Sequence, residues 1–156
     1  MLPKMVHAAD GILVDTEGKI ILIKRKSETF NNFWALPGGV VESSETVEDA
    51  LKREMKEETA LLVDPKEILG VFSDPNRDPR GRVISTVFIC DYHGFPKAGS
   101  DAGELKKYSL DEALCLRLAF DHYAILQAYK RWLTKKGTYW SKKLVKMNKI
   151  NEELIL

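Results

Sequence analysis

The chain has 156 residues, of which 44% are hydrophobic and 30% charged, and its formal net charge at pH 7 is +1. This length lets one domain bury a core without disulfides or a structural metal, and the composition excludes disordered and fibrous proteins. No apolar run approaches the roughly 20 residues of a membrane helix, and the N-terminal residues lack the apolar segment of a signal peptide. We therefore expect a cytoplasmic protein that does not act in a membrane.

Five strands are predicted in the first 109 residues of the chain. Residues 6–14 and 19–25 are apolar and rich in β-formers, and the polar sequence between them predicts a hairpin. Residues 67–73 and 82–92 predict two further strands around a turn-rich segment, and a short strand is expected near 104–109.

Helices are predicted between and after these strands. Residues 46–59 can form a helix in which Thr46 caps the N-terminus, and Pro65 prevents a long continuation. A last helix beginning at about Asp121 has one apolar face, which core packing explains. This order of elements predicts an α/β fold, an α/β/α sandwich with helices on both sides of a mixed β-sheet.

The C-terminal segment is basic. Residues 130–149 contain eight lysines and arginines and no acid, so the rest of the chain is acidic. A basic segment can contact nucleic acid or an anionic surface, but no aromatic pattern of a nucleic-acid site accompanies this one. We predict a single domain over residues 1–135 and a basic extension of it over 136–156, with a solvated helix and an irregular end.

The cysteines suggest no cross-link. Cys90 and Cys115 belong to no CxxC or Cys/His spacing, so neither a disulfide framework nor a zinc site is indicated. We expect both to be buried free thiols in a reducing compartment.

The predicted helix over 46–59 carries acids on its apolar face. At about 100° per residue, Glu54 and Glu58 fall within the apolar stripe and Glu57 borders it. A buried carboxylate without a partner costs roughly several kcal/mol. Arg53 can pair with only one of these acids, whereas one hard divalent cation takes oxygens from all three. The alternative is a charged helix end whose glutamates lie in water.

Two glycines, Gly38 and Gly39, precede this helix and let the backbone approach a ligand closely. From the second glycine onward the spacing resembles the Nudix box, GX5EX7REUXEEXGU, in which U is aliphatic. Eight of the nine specified positions match: Gly39, Glu45, Arg53, Glu54, Met55, Glu57, Glu58 and Leu61. Ala60 stands where the family has glycine. Because that glycine would serve a left-handed helix end, we expect the alanine to cost about 1 kcal/mol without the loss of a carboxylate.

The resemblance to the Nudix family implies a fold, an activity and a cofactor. It implies the Nudix-type α/β/α sandwich and hydrolysis of a pyrophosphate bond in a nucleoside diphosphate derivative. The implied cofactor is Mg²⁺, with Mn²⁺ as a substitute, and the implied metal ligands are Glu54, Glu57, Glu58 and the backbone carbonyl of Gly39. Arg53 would orient a glutamate through a charge-assisted hydrogen bond, and Glu45 would be a structural partner.

The general base is left open, because Nudix subfamilies use different glutamates. Glu54 is one candidate. Glu104, in the segment 101–104, is the other, and its alternative is an exposed loop acid without a catalytic role.

Residues 73–82, SDPNRDPRGR, resemble a loop of the ADP-ribose pyrophosphatases. Arg77, Arg80 and Arg82 would bind substrate there, since guanidinium forks suit phosphate, although a plain turn explains the prolines equally well. Residues 118–122 also resemble a phrase of that subfamily, in which His122 is expected to be a capping or core residue. The implied reaction converts ADP-ribose to AMP and ribose 5-phosphate, and the implied assembly is a homodimer.

Other functions remain open from the sequence. A nucleoside triphosphate house-cleaning pyrophosphohydrolase shares the same box, although the arginine- and proline-rich loop argues against it. A non-enzymatic ADP-ribose-sensing Nudix regulator is the alternative of another class, but such regulators often lose box acids, and this chain keeps them all. An RNA-associated protein that uses the basic segment is the weakest alternative, and we expect no nucleic-acid partner.

Overall fold

The computed structural model of the protein describes residue 2 and residues 4–155. In chain order the elements are β1 (Val6–Leu13), β2 (Ile20–Arg25), β3 (Trp34–Ala35), β4 (Gly38–Val40), α1 (Val47–Thr59), β5 (Leu62–Phe72), β6 (Val83–His93), β7 (Ala102–Tyr108), α2 (Leu110–Leu114), α3 (His122–Thr134), β8 (Tyr139–Trp140) and α4 (Ser141–Ile155). The predicted helices over 46–59 and from about Asp121 are confirmed, as is the strand near 104–109.

The strands form two sheets. One is a five-stranded mixed sheet in the order β4-β1-β6-β5-β8, and the other is a three-stranded antiparallel sheet in the order β3-β2-β7. In the larger sheet, β1 is parallel to β6 and antiparallel to β4. This arrangement brings the glycines of β4 alongside the middle of β1.

Alternation along the strands divides the core into two layers. In β6, Val87 and Ile89 pack into one buried cluster, while Phe88 and Cys90 pack into another, because successive side chains point to opposite faces of a sheet. The first cluster also holds residues of α2, α3 and α4, and the second holds residues of α1. Helices therefore cover both faces, and the predicted α/β/α sandwich with a mixed sheet is confirmed.

The hairpin predicted for residues 6–14 and 19–25 is wrong as a pairing. Only an isolated bridge between Val14 and Ile20 joins the two segments. β1 instead pairs with β4 and β6, and β2 pairs with β3 and β7. Both strands are largely buried, so their apolar sequence carries no information about which neighbour each one takes.

The C-terminal segment is more ordered than expected. β8 pairs with β5 through Tyr139 and Trp140, and Leu144 of α4 is buried in the core cluster that contains α3. The irregular end expected for residues 136–156 is therefore wrong over the described part, because apolar residues at helical spacing lie between the lysines.

The cysteine prediction is half right. Cys90 is buried, whereas Cys115 is exposed at the end of α2, and both are free thiols. None of the helices in the described part of the chain is both long and apolar enough to cross a bilayer.

Candidate active site

The helix that carries the box acids is fixed at both ends. Its N-cap, Thr46, accepts a hydrogen bond from the backbone N–H of Asp49 at 3.1 Å. At the other end Ala60 is left-handed, with φ 60°, as expected of the position at which the family has glycine. The loop before β7 caps this end, since the N–H groups of Lys97 and Gly99 donate to the carbonyls of Thr59 and Glu58.

A cleft of about 600 Å³ opens between α1, β1, β4 and the segment 73–82. Its acidic lining residues are Asp10, Glu54, Glu58 and Asp78, and its basic lining residues include Arg25, Arg77, Arg80 and Arg82. Gly38, Gly39, Phe120 and His122 also line it. The structure thus brings most of the sequence-predicted site residues to one cavity.

Glu54 and Glu58 form the acidic wall of this cleft. Arg53 donates to Glu54 at 2.9 Å, and the backbone N–H of Gly38 donates to Glu58 at 3.0 Å. A Cβ on Gly39 would collide with the Glu54 carboxylate, so any other residue here would displace that side chain. The two acids are therefore held beside the backbone of β4.

Burial governs the protonation of these acids. It raises the pKa of Glu58 to about 8, and the charges of Glu54 and Asp10 add to the increase. Burial also raises the pKa of Glu54, although the hydrogen bond from Arg53 opposes it. Two neighbouring carboxyls that resist ionisation are a site at which a cation would be favourable.

Arg53 connects the box residues. It makes a two-pronged contact with Glu45, at 2.7 and 2.8 Å, and donates to the carbonyl of Val40 at 3.0 Å. The expectation that Arg53 pairs with one helix acid is wrong, since its Nη1 is 2.9 Å from Glu54 and 3.5 Å from Glu57. The contact with Glu45 lowers the pKa of that acid to about 2. Arg53 and Glu45 thus anchor α1 to the chain that enters it.

Glu57 lies apart from the other two helix acids. Its side chain is 59% exposed, and it does not line the cleft. Among the residues described, no three His, Cys, Asp or Glu side chains are grouped so that they could hold a metal ion by themselves. The remaining donors, two carboxylates beside a glycine backbone, nevertheless fit Mg²⁺, which prefers few carboxylates together with water and substrate phosphate.

The segment 73–82 contributes the three predicted arginines to the cleft, and each already donates to an oxygen of the protein. Arg77, with its side chain 4% exposed, donates to both oxygens of Asp121 at 2.7 and 3.0 Å. Arg80 pairs with Asp78 at 2.9 Å, but its side chain is 57% exposed. Arg82 donates to the carbonyl of Ser73 at 2.6 Å. Of the three, Arg80 is the most accessible to a ligand.

Glu104 is not brought to the cleft. It lies on β7, where Lys106 is 2.9 Å and Lys24 is 4.0 Å from its carboxylate. The hydrogen bond from Lys106 lowers the pKa of Glu104. Glu104 thus lies in a strand rather than in a loop, and its catalytic role stays a prediction.

Asp10 is a cleft residue that sequence reasoning missed. It is buried in β1, hydrogen-bonded to Ser85, and burial raises its pKa to about 6. An acid inside an otherwise apolar strand was the available signal, since burying an unpaired carboxylate is costly. Arg25 and Phe120 were also missed, and nothing local in the sequence sets them apart.

His122 is buried, as expected of a core residue, and it also lines the cleft. It is 3% exposed, and its Nδ1 accepts a hydrogen bond from the backbone N–H of Leu36 at 3.0 Å. Burial lowers the pKa of His122 to about 4, so the ring is neutral at pH 7 and can accept that bond.

In this cleft the acids of α1 lie close to the glycines of β4 and to the arginines of the segment 73–82. This is the arrangement expected of a Nudix domain. Residues 5–129 match the family described as the NUDIX domain. The chain therefore belongs to the Nudix family, whose hydrolases generally use divalent metal ions.

Three proteins show which members of the Nudix family this chain resembles. An ADP-ribose pyrophosphatase of Methanocaldococcus jannaschii is 52% identical over 126 residues, which cover 80% of this chain and 73% of the relative. The crystal structure of a MutT/nudix family protein from Enterococcus faecalis is similar with a TM-score of 0.73 at 32% identity, covering 86% of this chain and 64% of that one. The Nudix domain of Shewanella oneidensis NrtR, solved with ADP ribose, has a TM-score of 0.74 at 22% identity and covers 85% and 90% of the two chains. The last likeness shows the fold alone.

Proposed function

We propose that the protein hydrolyses the pyrophosphate bond of ADP-ribose and releases AMP and ribose 5-phosphate. The observation that carries this proposal is the single cleft in which Glu54 and Glu58 face the arginines of the segment 73–82. Acids suited to a cation and guanidinium groups suited to phosphate are what a pyrophosphate substrate requires. The 52% identity to an ADP-ribose pyrophosphatase supports the choice of substrate.

We propose Mg²⁺ as the cofactor, with Mn²⁺ as a substitute. Glu54, Glu58 and the carbonyl of Gly39 would hold it, and Glu57 remains a predicted ligand from the sequence. A divalent cation supplies neutralisation of the pyrophosphate charge and activation of water. Bound there, it would also remove the cost of placing two ionised carboxylates in a buried site.

The protein's own residues prepare the site for this chemistry. Arg53 holds Glu54 in one orientation, which makes Glu54 our choice of general base, since a base must be positioned before its pKa matters. Glu104 is the second choice, because its carboxylate is paired with Lys106 outside the cleft. Arg80 and Arg82 would position the phosphates, while Arg77 would hold the wall in place through Asp121.

Product analysis tests this function. The purified protein is incubated with Mg²⁺ and, in separate reactions, with ADP-ribose, NADH, diadenosine polyphosphates and nucleoside triphosphates. Chromatography then identifies the products, and Glu54→Gln serves as the inactive control. We expect AMP and ribose 5-phosphate from ADP-ribose at the highest kcat/KM.

The same panel distinguishes the alternatives. Preference for a nucleoside triphosphate would support a house-cleaning pyrophosphohydrolase. Binding of ADP-ribose without turnover would support a sensing regulator. The cytoplasmic location and the homodimer stay predictions from the sequence.

A further inference from the structure

Arg25 is a cleft arginine that lies outside the segment 73–82. It ends β2, in the three-stranded sheet, and it is half-buried. Its Nε donates to the carbonyl of Thr29 at 3.0 Å, and its Nη2 donates to the hydroxyl of Ser27 at 2.6 Å. These contacts hold the guanidinium group without neutralising it.

The charge of Arg25 distinguishes it from its neighbours. Arg77 pairs with Asp121 and Arg80 pairs with Asp78. Within residues 2 and 4–155, by contrast, the guanidinium of Arg25 makes no ion pair with a carboxylate. Burial lowers the pKa of Arg25, and the nearby charge of Arg80 lowers it further. An anion between the two arginines would relieve both effects.

Phe120 brings the two arginines together. The guanidinium carbon of Arg25 is 4.7 Å and that of Arg80 is 5.6 Å from the centre of the Phe120 ring. Both contacts are cation–π interactions, which orient a guanidinium group without consuming its hydrogen-bond donors. Since Nε and Nη2 of each arginine already donate to protein oxygens, the Nη1 groups, which make no hydrogen bond among the described residues, are the donors available for phosphate oxygens.

The backbone around Phe120 is fixed in an uncommon conformation. Phe120 has φ 53°, a left-handed value that costs a non-glycine residue energy. The preceding residue, Ala119, donates to the carbonyl of Trp34 at 2.8 Å, and the following residue, Asp121, holds Arg77. Both neighbours are thus anchored, and Phe120 between them lines the cleft.

Arg25 also adjoins the acidic wall. A smaller cavity of about 300 Å³ is lined by Arg25 and Glu58 together, and both residues line the main cleft as well. Arg25 thus lies close both to the acids proposed to bind metal and to Arg80 of the segment 73–82. A pyrophosphate bound to both would contact it.

We propose that Arg25, stacked on Phe120 beside Arg80, is a substrate-binding residue that contacts the phosphate oxygens of the pyrophosphate. This inference rests on the proposed function, which supplies the pyrophosphate. It adds to the segment 73–82 a contact from β2, so that the substrate is held from two separate parts of the chain.

Replacement of the guanidinium group tests the contact. Arg25→Gln is compared with the parent and with Arg117→Gln, the matched control, because Arg117 is exposed and also stacks on a phenylalanine, Phe33, outside the cleft. A lost charge-assisted contact predicts a roughly ten- to hundredfold fall in kcat/KM for ADP-ribose in Arg25→Gln. The control is expected to stay within about twofold of the parent.

Binding without turnover gives the second readout. Titration calorimetry measures the Kd of an ADP-ribose analogue with a methylene bridge between its phosphorus atoms, and inorganic pyrophosphate is tested as a competitor. Arg25→Gln should weaken both by a similar factor. If it weakens the analogue but leaves competition by pyrophosphate unchanged, Arg25 contacts another part of the substrate and the proposal is wrong.

Failure of the inference and failure of the proposed function are distinguishable. If the parent cleaves a different pyrophosphate compound of the panel, ADP-ribose is the wrong substrate, and the same variants are compared on that compound. If the parent cleaves ADP-ribose and Arg25→Gln matches the control, only the inference is wrong. Should Arg25→Gln fail to fold, Arg25→Met decides, since methionine keeps a long unbranched side chain but has no charge and no N–H donor. A parental kcat/KM in Arg25→Met would overturn the proposal, and a reduced one would support it.

Discussion

The acids on one side of the cleft and the arginines on the other differ in whether they have a partner of opposite charge. On the acidic wall, burial raises the pKa of Glu54 and Glu58, and the carboxyl of Glu58 meets only a backbone N–H. On the arginine segment, Arg77 and Arg80 each have a carboxylate partner. Glu58 thus has no cationic partner among the described residues, whereas Arg77 and Arg80 are each already paired with an acid. The difference teaches that a cation at Glu58 would displace no protein cation, whereas a phosphate at Arg77 or Arg80 would compete with a carboxylate partner.

The largest effect expected from this difference is the response to metal removal. Chelation with EDTA should abolish hydrolysis, because Glu58 has no cationic partner among the described residues that could stand in for the metal. Addition of excess Mg²⁺ or Mn²⁺ should restore turnover, measured as AMP released from ADP-ribose. Full turnover in excess EDTA would contradict the metal assignment. Addition of Ca²⁺-saturated EDTA controls for effects of the chelator itself.

Replacing Arg77 should mainly lower stability, whereas replacing Arg80 should mainly lower activity. Arg77→Ala breaks a buried pair with Asp121, and we expect a loss of about 3 kcal/mol in unfolding free energy. Arg80→Ala should change stability by less than about 1 kcal/mol, because an exposed ion pair contributes little, yet lower kcat/KM roughly tenfold or more. Urea denaturation and steady-state kinetics on both variants make the comparison. Equal stability losses would show that the two arginines have the same role.

Glu58 should make the stability of the metal-free protein fall as the pH rises. The pKa of Glu58 is raised from 4.5 to about 8, so the folded protein retains a proton that the unfolded chain has lost. Its contribution to stability is therefore present at low pH and is lost as pH rises toward 8. His122, whose pKa is lowered to about 4, acts in the opposite direction below pH 6.5, so the useful window is pH 6.5 to 8.

Glu58→Gln should flatten that profile. In EDTA its melting temperature should equal or exceed that of the parent at pH 8, with a smaller difference at pH 6.5, on a scale of about 2–4 °C per kcal/mol. Thermal unfolding followed by circular dichroism measures both. A variant that melts many degrees lower than the parent at pH 8 would mean that Glu58 is a structural partner rather than an uncompensated acid.

The smallest expected effect concerns the end of the acidic helix. Ala60 is left-handed, and glycine adopts that conformation without steric cost. Ala60→Gly should therefore stabilise the protein by about 1 kcal/mol while leaving kcat/KM unchanged, because no carboxylate moves. Chemical denaturation checks the first expectation and kinetics the second. A fall in stability would show that the loop holding Lys97 and Gly99 already compensates the alanine.

Much of the acidic wall was predictable because its information is local. Helical spacing alone places Glu54 and Glu58 on the apolar face of α1, and the cap at Thr46 and the left-handed Ala60 follow from short-range rules. Glu57, at the border of the stripe, has an exposed side chain, and its role as a metal ligand stays a prediction. It was also wrong for the hairpin, because buried strands do not specify their neighbours.

By itself, the sequence determined the family, the box helix and the layered α/β/α architecture, since each depends on residues close together in the chain. Only the tertiary structure decided which charges meet. Arg77 pairs with Asp121 across 44 positions, and Asp10 meets Ser85 across 75. Phe120 joins Arg25 to Arg80 although the three lie on separate segments. Such contacts depend on strand register and on how α3 packs against the sheet. The local spacing of residues in the sequence specifies neither.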